Sequence, residues 1–122
     1  YVDLSYFYIG WNETKPFFDN KKVRKALTYA IDRERIIEQN LNQMAISVTG
    51  PFFCYSSAYD PSVAAYPFNP ELASRLLDEE GWIDIDGDGI RDKIIDGKKV
   101  SFRFKLHYFV KSLSSKVIAE YI

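Results

Sequence analysis

The residues best suited to chemistry in this chain are the acids of Asp84-Ile85-Asp86-Gly87-Asp88-Gly89-Ile90-Arg91-Asp92. Carboxylates at alternate positions of a tight turn converge on one point, and calcium takes about six to eight oxygen ligands. Asp84, Asp86, Asp88 and Asp92 are therefore the candidate metal ligands, and Gly89, sixth in the run, permits the sharp bend such loops need. The pattern departs from an EF-hand-type loop at its twelfth position, where Ile95 stands in place of a bidentate Glu. Asp96 comes one residue late, and a strand follows rather than a second helix. The alternative is an Asx-rich turn leading into a hairpin, its side chains bonding local backbone. Any ion held here would be structural.

Other chemistry finds little support. His107 is the only histidine and has no Ser or Cys partner at motif-like spacing, so a catalytic triad is unsupported. Cys54 stands alone, which rules out an intrachain disulfide and a thiolate metal cluster. A net charge of −1 gives no electrostatic reason to seek nucleic acid or an anionic membrane. No stretch approaches the ~18 apolar residues of a membrane span. The basic run Lys21-Lys22-Val23-Arg24-Lys25 sits at a helix start, the less favourable end for cations, and reads as a solvated face. Nine Tyr, nine Phe and two Trp are the compositional outlier, explained mainly by a core and secondarily by a binding surface.

The elements that must position these residues are legible from period and punctuation. Residues 4–11 read as a strand buried on both faces. Asp19 or Asn20 caps a first helix whose inward stripe is Val23, Ala26, Leu27, Ala30 and Ile31. Asp32 caps a second helix carrying Ile36, Ile37 and Leu41. Residues 42–68 lack a period and form a long aromatic-rich irregular segment. Asn69-Pro70 starts a third helix with Leu72, Ala73, Leu76 and Leu77 inward, and Gly81 closes it. Val100 to His107 alternates as a strand with Val100, Phe102, Phe104 and Leu106 on the core side. A last helix begins near Ser112 to Ser115. The order predicts an α/β or α+β domain, and at 122 residues one core rather than two lobes. The chain opens at Tyr1 and stops within the amphipathic pattern Val117, Ile118, Tyr121, Ile122, so it reads as a single-domain piece truncated at both ends.

Wording adds to pattern. Asp19-Asn20-Lys21-Lys22-Val23-Arg24-Lys25-Ala26-Leu27-Thr28-Tyr29-Ala30-Ile31-Asp32-Arg33-Glu34-Arg35-Ile36 resembles a segment of the family 5 extracellular solute-binding proteins of bacterial ABC importers. Tyr6 to Asn12, Gly50-Pro51, Tyr66 to Leu77, Gly81-Trp82 and the Asp-rich turn resemble further family blocks in the same order, covering nearly the whole chain. The resemblance implies part of the second lobe of a type II-like periplasmic-binding-protein fold, with a mixed sheet flanked by helices. It implies the substrate-binding component of an ABC importer, capturing oligopeptides in the periplasm or at the cell surface, with peptide and permease subunits as partners. Membrane association would come only through an anchor or the permease. Tyr108, Phe109 and Lys111, in the loop after the Val100–His107 strand, are the ligand-contacting positions it implies. No enzyme activity and no organic cofactor follow; the one cofactor these residues could hold is structural calcium. The rivals are a nickel or other small-solute receptor of the same family, a calcium-stabilised interaction module of a secreted protein and, last, an enzyme.

Overall fold

A computed structural model describes residues 4–122. These residues form two compact units: residues 11–31 with 68–107, and residues 4–10 with 32–67 and 108–122.

The first of these units is built on two capped helices. In α1 (Lys21–Tyr29), the side chain of Asn20 accepts from the Lys22 and Val23 N–H groups, which the helix itself leaves unpaired. In α3 (Pro70–Glu79), Asn69 accepts from Leu72 N–H and Pro70 occupies the first turn. The two helices pack together, and the Asn69 N–H donates to the Tyr29 carbonyl at 2.8 Å, so the cap residue of α3 also satisfies the end of α1. Val23 and Ala26 are fully buried at this contact and Ala73 nearly so. The inward stripe is narrower than the sequence predicts. Leu27 is half-buried and Ala30 exposed, because the helix ends at Tyr29 and the period lapses there.

Lys22 and Arg24 are not merely solvated. Lys22 Nζ lies 3.0 Å from Glu80 and Arg24 Nη1 donates to the Phe18 and Asp19 carbonyls. The hydrogen bond from Lys22 holds the Glu80 carboxyl below the ordinary glutamate range, and Glu80 in turn raises the Lys22 ammonium. A lowered folded-state pKa contributes stability above the unfolded value, lost as pH falls through the folded one. Stability should therefore drop below about pH 4.5 as Glu80 protonates. Urea midpoints at pH 7 and pH 3.5 would measure this, with Glu80→Gln giving a smaller difference than the parent; an equal difference would place the acid sensitivity elsewhere.

Beyond α3, Gly81 takes φ +79° and Trp82 N–H closes onto the Leu77 carbonyl at 2.9 Å. Trp82 is then 1% exposed. Its ring lies 4.8 Å from Phe102 and 5.5 Å from Phe17, while Phe18 and Trp11 meet Phe104 at 5.1 and 6.2 Å. This aromatic cluster is the core of the unit. Strands β1 (Asp92–Ile95) and β2 (Lys98–Ser101) form an antiparallel hairpin through Asp96-Gly97, both with positive φ, as a tight two-residue turn requires.

The expected Val100–His107 strand stops early. Its alternation places Phe102 and Phe104 in the aromatic cluster, but pairing ends at Ser101, apart from Phe102 N–H donating to the Arg91 carbonyl at 2.7 Å. Residues 4–11 form no strand either, and Tyr8 is 79% exposed rather than buried on both faces. A strand needs a neighbouring strand for its backbone groups, and among the described residues none runs beside 4–11 or beside the chain beyond Ser101.

In the second unit, Asp32 caps α2 (Arg33–Arg35), which widens into a π-helical turn at Ile36–Asn40 with Ile36 buried. Ser112 caps α4 (Leu113–Tyr121), which packs on that turn. Residues 42–68 carry no helix or strand, as their composition predicts.

Candidate functional site

The Asp-rich loop leaves the aromatic core at Trp82 and returns to it at Asp92. Ile83 and Asp92 bridge the two ends, with backbone hydrogen bonds of 3.0 and 2.6 Å. Between them, Asp84 Oδ1 accepts from Gly87 N–H at 2.7 Å and Oδ2 from Gly89 N–H at 3.0 Å, while Asp88 accepts from Ile90 N–H. Gly87 and Gly89 both hold positive φ, the conformation these bonds demand. The Asx turns expected of such a sequence are thus present, and they aim the acids together. Carboxylate oxygens of Asp84, Asp86 and Asp88 lie within 4.8 Å of one another.

Asp92 behaves differently from the other three. They are exposed, whereas it is 1% exposed at the start of β1, and neither of its oxygens accepts a hydrogen bond. Its nearest charge partner is Lys99 Nζ, 3.7 Å away, which is hydrogen-bonded to Asp86. The hairpin register explains this placement: Lys99 opposes Ile94 and so sits diagonally across from Asp92 on one face. The Lys99 bond holds the Asp86 carboxyl below its usual range and raises the Lys99 ammonium. Arg103 approaches Asp88 at 3.5 Å. Arg91, inside the loop, turns away to bind Asp78, Ser74 Oγ and the Trp82 carbonyl, fastening the loop to α3. Lys99 and Arg103 were not evident as part of this group, although Asp96-Gly97 is the hairpin signal that would have brought Lys99 back beside the acids.

Ile95, at the twelfth loop position, pairs with Lys98, and the exposed Asp96 occupies the hairpin turn. Neither supplies the missing bidentate ligand. A depression of about 450 Å³ in the same unit, lined by Pro16, Asp19, Asn20, Trp82 and Lys93 among others, contains none of the four acids.

Tyr108, Phe109 and Lys111 lie in the second unit, on the turn preceding α4, where Ser112 N–H donates to the Phe109 carbonyl at 3.0 Å. Tyr108 is 43% and Phe109 65% exposed, and Lys111 is exposed as well. These three side chains thus present two aromatic rings and an ammonium to solvent.

The family described as bacterial extracellular solute-binding proteins, family 5 (middle part), matches residues 1–122. The chain belongs to this family. It is 46% identical over 105 residues to the oligopeptide-binding protein AppA of Bacillus subtilis, a match spanning 84% of this chain and 19% of AppA. It is 39% identical over 79 residues to heme-binding protein A of Haemophilus influenzae, spanning 65% of this chain and 14% of that protein. Glutathione-binding protein GsiB of Salmonella choleraesuis matches at 39% over 80 residues, 63% of this chain and 15% of GsiB. Among solved structures, AppA in complex with a nonapeptide superposes with a TM-score of 0.58 at 42% identity, over 74% of this chain and 18% of AppA. The α+β class and the kinship to a type II-like binding-protein fold expected from the sequence both stand. The chain spans about a fifth of the length of AppA. No described helix is long and apolar enough to cross a membrane.

Proposed function

We propose that this chain is part of the substrate-binding component of an ABC importer that captures oligopeptides outside the cytoplasmic membrane. The observation that carries this reading is the similarity to AppA in both sequence and structure, since the AppA structure holds a nonapeptide. The receptor works by binding and release, without catalysis, and hands its peptide to the permease. It acts in the periplasm or at the cell surface. Peptide backbone is common to all such ligands, so main-chain contacts give affinity while hydrated pockets accept varied side chains. Tyr108, Phe109 and Lys111 are the positions of this chain assigned to ligand contact, the aromatics stacking on side chains and Lys111 meeting a carboxylate.

Titrating the full-length receptor with an oligopeptide pool, glutathione, heme and Ni²⁺ in a calorimeter tests the reading. Saturable binding of the peptide pool is expected. Binding of heme or Ni²⁺ with no response to peptides would overturn it in favour of a small-solute receptor. Tyr108→Ala should weaken peptide binding about tenfold, the effect of losing one buried aromatic anchor worth more than 1 kcal/mol; unchanged affinity would remove Tyr108 from the contact set.

A further inference from the structure

We propose that Asp84, Asp86, Asp88 and Asp92 form a calcium site for which Lys99 is the resident counter-ion. Two independent observations meet here. The first is the convergence of the three exposed carboxylates within 4.8 Å. The second is Asp92, 1% exposed, with both oxygens lacking any hydrogen bond. A buried carboxylate is ordinarily paired and hydrogen-bonded, because leaving it bare is costly. Lys99 supplies a charge at 3.7 Å, beyond hydrogen-bond distance, and the same ammonium is bonded to Asp86. Asp86 and Asp92 thus share one cationic partner, which puts the bare carboxylate at the border of the three-acid cluster.

Charge and ligand chemistry select the ion. Four carboxylates stand against two cations in ion-pair range, Lys99 and Arg103, so the group carries two negative charges at rest and three once Lys99 is displaced, an excess that favours a divalent over a monovalent cation. The donors are all oxygen, and neither His107 nor Cys54 belongs to the group, which disfavours zinc. Calcium accepts an irregular shell completed by water, whereas magnesium demands a near-ideal octahedron. The absent twelfth-position Glu is answered by Asp92, the ninth residue of the loop, held rigid by its bridge to Ile83. On binding, the Lys99 ammonium leaves Asp86 and Asp92 for solvent, and the ion ties the loop to the first residue of β1. Asp92 lies two strand positions from Ile94 and pairs with Ser101, next to the core residue Phe102, so the ion would fasten the hairpin to the aromatic cluster.

Calorimetric titration of the chelator-stripped full chain with CaCl₂, with MgCl₂ as control, tests the proposal. One saturable calcium site is expected, in the range of about 10⁻⁴–10⁻³ M seen for extracellular modules, with magnesium at least tenfold weaker. Asp86→Asn, at an exposed position, should weaken calcium at least tenfold while leaving the circular dichroism spectrum unchanged. Lys99→Met should tighten it, since no ammonium then has to be displaced. Absence of calcium binding to the folded parent overturns the site. Calcium binding to Lys99→Met alone also overturns it, making Lys99 a permanent substitute for the ion. Unchanged affinity in Asp86→Asn would place the binding elsewhere.

Discussion

Trp82→Ala should destabilise the chain by about 3–5 kcal/mol, the range for deleting a buried large aromatic side chain. Three features put the effect at the top of that range. Trp82 is 1% exposed, so nearly the whole ring is withdrawn from water and its burial would be lost. Its ring meets both Phe17 and Phe102, and aromatic pairs of this kind contribute about 0.5–1.5 kcal/mol beyond area burial. It also adjoins Ile83, whose bridge to Asp92 closes the Asp-rich loop, so the loop would loosen with the core. For a chain of 122 residues each kcal/mol moves the melting temperature by roughly 3–6 °C, and a fall of about 10–30 °C is expected. Thermal melts followed by near-ultraviolet circular dichroism would measure it. A fall of only a few degrees would mean that the aromatic cluster is not the core of its unit.

Much of this arrangement was legible in the sequence because it is local. Asn20, Asp32, Asn69 and Ser112 cap helices where their types predict, and Pro70 and Gly81 bracket α3. Caps and turns are written in a few adjacent residues and need no distant partner. The Asp-rich run folds as the Asx-turned loop its composition suggests for the same reason. What failed was long-range. Alternation at 100–107 correctly put Phe102 against the core, whereas Phe104, which still meets Phe18, and Leu106 are exposed, and the pattern carries no information on whether a neighbouring strand exists. Apolar character at 4–11 predicts burial on both faces, yet Leu4, Tyr6, Phe7 and Tyr8 are exposed here. The helical stripe was read two residues too far, since the end of α1 depends on Asn69, forty residues downstream of Tyr29. Lys99 joins the acids only through the hairpin register, and Asp92 differs from Asp84, Asp86 and Asp88 only in its burial, neither of which is written in the local sequence.

The family assignment rests on several short segments in fixed order, a signal that survives such errors of pairing. The proposed function goes further, to enclosure of a peptide by a receptor like AppA, of which the matched part of this chain covers about a fifth. Receptors of that kind gain affinity by surrounding the ligand and closing on it by hinge motion. Association alone costs about 4–15 kcal/mol before any contact is credited, so partial enclosure should yield very little net binding.

The most direct measurement is calorimetry of residues 1–122 and of the full-length receptor against the same tri- to pentapeptide pool, with circular dichroism confirming that both are folded. The account predicts micromolar or tighter binding by the receptor and none by residues 1–122 below about millimolar peptide, a gap of at least 4 kcal/mol. Micromolar binding by residues 1–122 alone would contradict it and reveal a self-contained site, and a receptor that ignores every peptide in the pool would contradict it from the other side.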